Sequence, residues 1–195
     1  MAHDVLSFDP ERDRPAQVAV VGCGYWGKNL VRNFAELGAL AAICDPNQGT
    51  AVELADRYRM QVADFEAVLY DDEIAGVAIA APAALHAELA GRALEAGKNV
   101  FVEKPLALIV PEAEQLCALA ERRDRRLMVG HLLQYHPAFI KLRELVSEGT
   151  FGRLEYISST RLNLGKVRLE EDIWAAITAI NRQSTTLSPI TRTTP

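Results

Sequence analysis

At 195 residues, with 49% hydrophobic side chains, the chain is long enough to bury a core and fits one domain, or one and part of a second. Its net charge of −5 is spread over interspersed acids and bases without a long basic run or stripe, which argues against nucleic acid or an anionic membrane surface as a partner. The longest apolar stretch, Ile74 to Leu85, is too short to span a bilayer, and polar Met1 to Pro15 has no signal-peptide core, so the expectation is a cytoplasmic protein with a flexible segment over residues 1–15.

In chain order, Gln17 to Val21 is a valine-rich run of the kind buried on both faces of a sheet. A glycine cluster follows. The helical spacing of Leu30, Val31, Phe34 and Leu37 then predicts a helix over Lys28 to Leu37, stopped by Gly38. Leu40 to Cys44 reads as a second strand, Thr50 to Arg59 as a helix, and Asp64 as the N-cap of another short helix. Gly76 to Ala80 is a buried strand, Leu85 to Ala96 a helix closed by Gly97, and Asn99 to Val102 a strand. Glu112 to Arg123, opened by Pro111, is a helix and Arg126 to Val129 a strand. This alternation predicts an α/β fold, with a doubly wound, mostly parallel sheet covered on both faces. Phe139 to Val146 reads as an amphipathic helix and Leu154 to Leu162 as a half-exposed strand, the start of an α+β domain. From Ala175 to Pro195 there is no acidic residue and no persistent period, so that stretch reads as an aberrant or disordered tail.

Gly22-Cys23-Gly24-Tyr25-Trp26-Gly27 fits G-x-G-x-x-G between a strand and a helix. In that setting the first glycine makes the turn, the second admits a pyrophosphate, and the third lets helix meet strand. The helix N-terminus then faces the phosphates. A glycine turn without a ligand is the alternative. Asp45 ends the second strand, where an acid binds the adenosine ribose hydroxyls. Pro46, Asn47 and Gln48 supply no arginine for a 2′-phosphate, so the cofactor reads as NAD; the alternative is that Asp45 caps a turn. Glu103-Lys104-Pro105 follows a strand and should emerge at the carboxyl end of the sheet, where ligands bind. A lysine there can polarise a substrate oxygen during hydride transfer, although a Glu-Lys pair is also an ordinary surface feature. The cysteines, Cys23, Cys44 and Cys117, lack metal-ligand spacing and read as reduced, mostly buried thiols, with no metal site.

The glycine motif, Ala81-Pro82 with His86, and Glu103-Lys104-Pro105 together resemble the Gfo/Idh/MocA oxidoreductase family over about Gln17 to Trp174. The resemblance implies an NAD-binding Rossmann domain over 16–130 and the start of a substrate and oligomerisation domain over 131–174. It makes Lys104 the catalytic and substrate-binding candidate. Glu103, Ala81, Pro82, His86, Tyr25, Trp26 and Gln134 become cofactor-site residues. The stretch Gly130 to Pro137, with Asn163 to Arg168, further resembles the branch that oxidises UDP-N-acetylglucosaminuronic acid at C3 in bacterial polysaccharide synthesis. That implies a sugar-nucleotide substrate, with Tyr135, Lys166 and Arg168 against the sugar, uronate or pyrophosphate. Lys166 and Arg168 also read as solvated charges, and His131 and His136 as packed, hydrogen-bonded residues.

The family's second catalytic residue is a histidine beyond the Glu170-Glu171-Asp172-Ile173-Trp174 segment, and no histidine follows His136 here. The expectation is that a frameshift or early stop replaces the family sequence after about Trp174, leaving weak or no activity. Full-length relatives are expected to be homo-oligomers. The alternatives are a non-catalytic NAD-binding remnant and a family member acting on another sugar or polyol.

Overall fold

Short runs of valine, alanine and isoleucine form the centre of a six-stranded sheet. The computed structural model describes residues 15–154, which fall into two units dividing after Gly130. In the first unit the order is β1 (Val18–Val21), α1 (Gly27–Glu36), β2 (Leu40–Cys44), α2 (Gln48–Tyr58), β3 (Gln61–Val62), α3 (Phe65–Tyr70) and β4 (Gly76–Ile79). A 3-10 turn, Ala83–Leu85, leads into α4 (His86–Glu95), followed by β5 (Asn99–Val102), α5 (Val110–Arg122) and β6 (Leu127–Val129). The strands lie in the order β3-β2-β1-β4-β5-β6, and every adjacent pair is parallel. Such pairing requires a crossover after each strand, and the helices supply it. The expected fold class is the observed one.

The period of two along a strand divides the core into two layers. Ala19 and Val21 of β1 join Val77, Ile79, Val100, Val102, Leu94 and Leu116 on one face. Val20 joins Val31, Leu40, Ile43, Leu54 and Ala55 on the other. Both layers are filled by small or branched side chains, which lets helices lie close to the strands.

Local chemistry moves several boundaries. The Asn47 side chain accepts from Thr50 N–H at 3.2 Å, so α2 begins at Gln48 rather than Thr50. Arg59, at φ 56°, has left the helix. Asp64 stands at the N-cap of α3 as expected, but its side chain makes no capping bond. Cys23 and Cys44 are buried, whereas Cys117 is exposed on α5.

The second unit begins with a 3-10 turn, Leu132–Tyr135, and continues as α6 (Pro137–Ser147). His136 caps α6, its Nδ1 accepting from Ala138 N–H at 3.2 Å. Both His131 and His136 are exposed, which sets aside the packed reading of these side chains. The expected strand beyond Leu154, the Glu170–Trp174 segment and the tail lie outside the described residues.

Candidate functional site

The chain order of the strands reverses between β1 and β4, and the loops leaving their carboxyl ends meet there. Gly22, at φ +87°, follows β1, and a Cβ on it would sit 2.6 Å from the backbone nitrogen of Ala81. Only glycine tolerates both that backbone angle and that approach. A Cβ on Gly27 would lie 1.8 Å from the carbonyl oxygen of Gly22, so the start of α1 rests directly on the turn. Gly24 differs. A Cβ there meets nothing within 4 Å, and its φ is not left-handed. No contact among the described residues calls for glycine at this position, whereas close approach of a pyrophosphate does. The adjoining N-terminus of α1 carries no side-chain cap and presents its positive end. The residues present therefore fit a dinucleotide.

Asp45, at the end of β2, is fixed by two backbone donors. Its Oδ2 accepts from Cys23 N–H at 2.5 Å and its Oδ1 from Asn47 N–H at 2.8 Å. The carboxylate is thus both a turn cap and a rigid negative group beside the glycine loop. Burial, then the charge of Asp45, pushes the Cys23 thiol up to about 12 from an ordinary 9.0. Burial likewise raises Cys44 to about 11. Both remain neutral thiols at physiological pH.

At the end of β5 the Glu103-Lys104-Pro105 loop sends neighbouring side chains to different surroundings. Lys104 is exposed, and the peptide between it and Pro105 is cis. Glu103 is only 8% exposed, and its Oε1 accepts the indole N–H of Trp26 at 2.6 Å. Its carboxylate also lies against Gly130, where a Cβ would come within 3.0 Å. Ala81 and exposed Pro82 leave β4 beside the glycine turn. His86 lies beneath these loops, 2% exposed, with Nδ1 2.6 Å from the Pro105 carbonyl and Nε2 2.8 Å from that of Ala81. Each ring nitrogen lies within hydrogen-bond distance of a backbone carbonyl, so His86 bridges the loops carrying Ala81 and Pro105.

Tyr25 and Trp26 are exposed on the glycine loop, at 64% and 39%, and Lys28 lies over the Tyr25 ring at 5.5 Å. Gln134 and Tyr135 belong to the 3-10 turn of the second unit, where Tyr135 is exposed and Gln134 accepts from Arg143 at 3.4 Å. Lys166 and Arg168 lie outside the described residues. The first unit thus brings together Gly22, Gly24, Gly27, Asp45, Ala81, Pro82, Glu103 and Lys104 at one end of its sheet. Sequence reasoning missed the Trp26–Glu103 bond and the role of Gly130, which join residues far apart in the chain. Two open hollows beside α5 contain neither a glycine-loop residue nor Lys104. Among the described residues no cluster of three or more His, Cys, Asp or Glu side chains suits a metal, and no helix is long and apolar enough to cross a membrane.

Comparison with known proteins agrees with this geometry. The chain is 33% identical over 156 residues to dTDP-3,4-didehydro-2,6-dideoxy-alpha-D-glucose 3-reductase of Actinomadura kijaniata, a match covering 78% of this chain and 47% of the relative. It is 31% identical over 147 residues to UDP-N-acetylglucosamine 3-dehydrogenase of Acidithiobacillus ferrooxidans, covering 75% and 45%. Among solved structures, a 3-ketoreductase from Actinomadura kijaniata in complex with NADP superimposes with TM-score 0.64 at 32% identity, over 71% of this chain and 45% of that one. A protein of gentamicin A biosynthesis in complex with NAD gives TM-score 0.66 at 31% identity, over 70% and 40%. The chain spans about half the length of the curated relatives it matches. Residues 16–131 match the Gfo/Idh/MocA oxidoreductase family with its NAD-binding Rossmann fold, and the chain belongs to that family.

Proposed function

We propose that the chain carries the cofactor-binding part of an NAD-dependent oxidoreductase acting on the C3 hydroxyl or ketone of a nucleotide sugar. UDP-N-acetylglucosaminuronic acid is the proposed substrate, and bacterial polysaccharide synthesis the proposed setting. The observation that carries this reading is the conjunction of an open Gly24 with an exposed Lys104 at the same end of the sheet. The shared position of reaction in two relatives' names, a 3-reductase and a 3-dehydrogenase, supports C3 as the reacting carbon.

Held at the glycine loop, NAD would supply the hydride acceptor for oxidation at the sugar carbon. Lys104 would hold and polarise the reacting oxygen, whose proton would pass to solvent water as the carbonyl forms. Glu103, hydrogen-bonded to the Trp26 indole, would keep the Lys104 loop in place. Asp45 favours NAD over NADP because its carboxylate, held by Cys23 and Asn47 N–H groups, repels a 2′-phosphate. Gln134 and Tyr135 are assigned to the border of the nicotinamide and sugar. Lys166 and Arg168 are assigned to the uronate or pyrophosphate charges.

Calorimetric titration of the purified chain with NAD⁺ and NADP⁺ tests the cofactor assignment. NAD⁺ should bind at least about tenfold more tightly, a difference of roughly 1.4 kcal/mol. NADH formation is then followed with UDP-N-acetylglucosaminuronic acid, UDP-N-acetylglucosamine and inositol. Turnover of the uronate supports the full reading, and turnover of inositol alone moves the substrate to a polyol. Binding without turnover leaves a cofactor-binding protein, and absence of binding overturns the proposal.

A further inference from the structure

The β4–β5 ladder ends at Ile79 and Val102, with one more bond from Glu103 N–H to the Ile79 carbonyl. Past that point the Glu103 side chain turns toward the glycine loop. Three observations define its setting. The carboxylate is 8% exposed, it takes the Trp26 indole N–H at 2.6 Å, and it occupies space that any side chain at Gly130 would fill. A buried carboxylate is costly unless hydrogen-bonded, and a charged acceptor makes the bond from Trp26 stronger than one between neutral groups. The bond spans 77 residues of chain. It joins the loop fitted to the dinucleotide phosphates to the residue adjoining Lys104.

We propose that Glu103 and Trp26 form a positioning pair that sets the spacing between the phosphate-binding loop and Lys104. The pair rests on the reading of Lys104 and the glycine loop given above. Neither side chain touches the reacting atoms. Glu103 anchors Trp26, and Trp26 fixes the start of α1, on which the phosphates rest. Gly130 leaves the slot that admits the carboxylate.

A double-mutant cycle on the full chain tests this pair, with NAD⁺ affinity and melting temperature read for each protein. Trp26→Phe and Glu103→Ala should each weaken NAD⁺ about tenfold, the scale of one lost charge-assisted bond. The double variant should be no weaker than either single one, because the same bond is lost once. Glu103→Gln, whose amide oxygen still accepts the indole N–H, should stay within about twofold of the parent. Additive losses would overturn the pair, since they would mean that Trp26 meets the cofactor independently. A fall in melting temperature with unchanged NAD⁺ affinity would overturn it as well, leaving a purely structural bond. Should Glu103→Ala not fold, Trp26→Phe and Glu103→Gln still decide: unchanged affinity in the first, or a tenfold loss in the second, contradicts the pair. If the parent chain itself fails to bind NAD⁺, the cofactor reading falls. The indole N–H resonance of Trp26, compared between parent and Glu103→Ala, then tests the bond separately, and an unshifted resonance would count against it.

Discussion

The two ends of one sheet are built to opposite rules. At the amino ends of the strands, polar side chains close the backbone. Lys98, 5% exposed, donates to the Asp71 carbonyl at 2.6 Å. Asn99 donates to the Ala75 carbonyl at 3.0 Å and accepts from Arg126 N–H at 2.9 Å. The Gln17 carbonyl takes N–H groups from both Ala75 and Gly76. At the carboxyl ends, by contrast, Gly24 borders open space, α1 starts without a side-chain cap, and Lys104 is exposed. Both ends carry a lysine, but Lys98 is bonded within the fold whereas Lys104 is exposed. Exposure and bonding, rather than residue type, separate the amino end from the carboxyl end, the one proposed to bind the cofactor.

The sharpest way to break this contrast is to fill the turn itself. Gly27→Ala places a methyl into the Gly22 carbonyl, so backbone must move; a loss of about 4 kcal/mol or more in denaturant unfolding is expected, together with NAD⁺ binding. Next come the two lysines. Lys104→Ala should leave the unfolding midpoint unchanged while lowering turnover about a hundredfold. Lys98→Ala should do the reverse, costing about 1–3 kcal/mol of stability with NAD⁺ affinity intact. Loss of NAD⁺ affinity in Lys98→Ala would dissolve the distinction between the two ends.

The smallest effect concerns the thiols. In the folded chain Cys23 and Cys44 are raised to about 12 and about 11, above an ordinary 9.0. Their neutral forms are the ones the fold favours. The contribution is fully present below about pH 9, and it is lost as pH rises toward 11–12 because the unfolded chain ionises first. A pH series of urea melts should show stability falling above about pH 9, with a shallower slope in Cys23→Ala/Cys44→Ala. At pH 8 a thiol reagent should label exposed Cys117 quickly and the buried pair slowly.

Much of the binding end was legible in one dimension because its parts are local. Gly22, Gly24 and Gly27 lie within six residues between a valine-rich strand and a helix, and Asp45 and Lys104 each follow a strand whose apolar run is plain. The two-residue strand Gln61–Val62 had no such signal: it is too short for a period and begins with a polar residue. His86 was expected at the cofactor, but nothing in its neighbourhood announces that both ring nitrogens will meet carbonyls, one of them 19 residues away. The Trp26–Glu103 bond and the slot at Gly130 depend on strands β1, β4, β5 and β6 having been laid in that order across the sheet. Such contacts arise from topology, and no motif spacing encodes them.

Gly24 gives the most direct test of the proposed cofactor site, because a methyl group there meets no atom within 4 Å among the described residues beyond its chain neighbours. Calorimetric titration of Gly24→Ala with NAD⁺, beside a thermal melt, should show affinity reduced at least about tenfold at an unchanged melting temperature. NAD⁺ affinity equal to that of the parent chain would contradict the assignment of this loop to the cofactor phosphates.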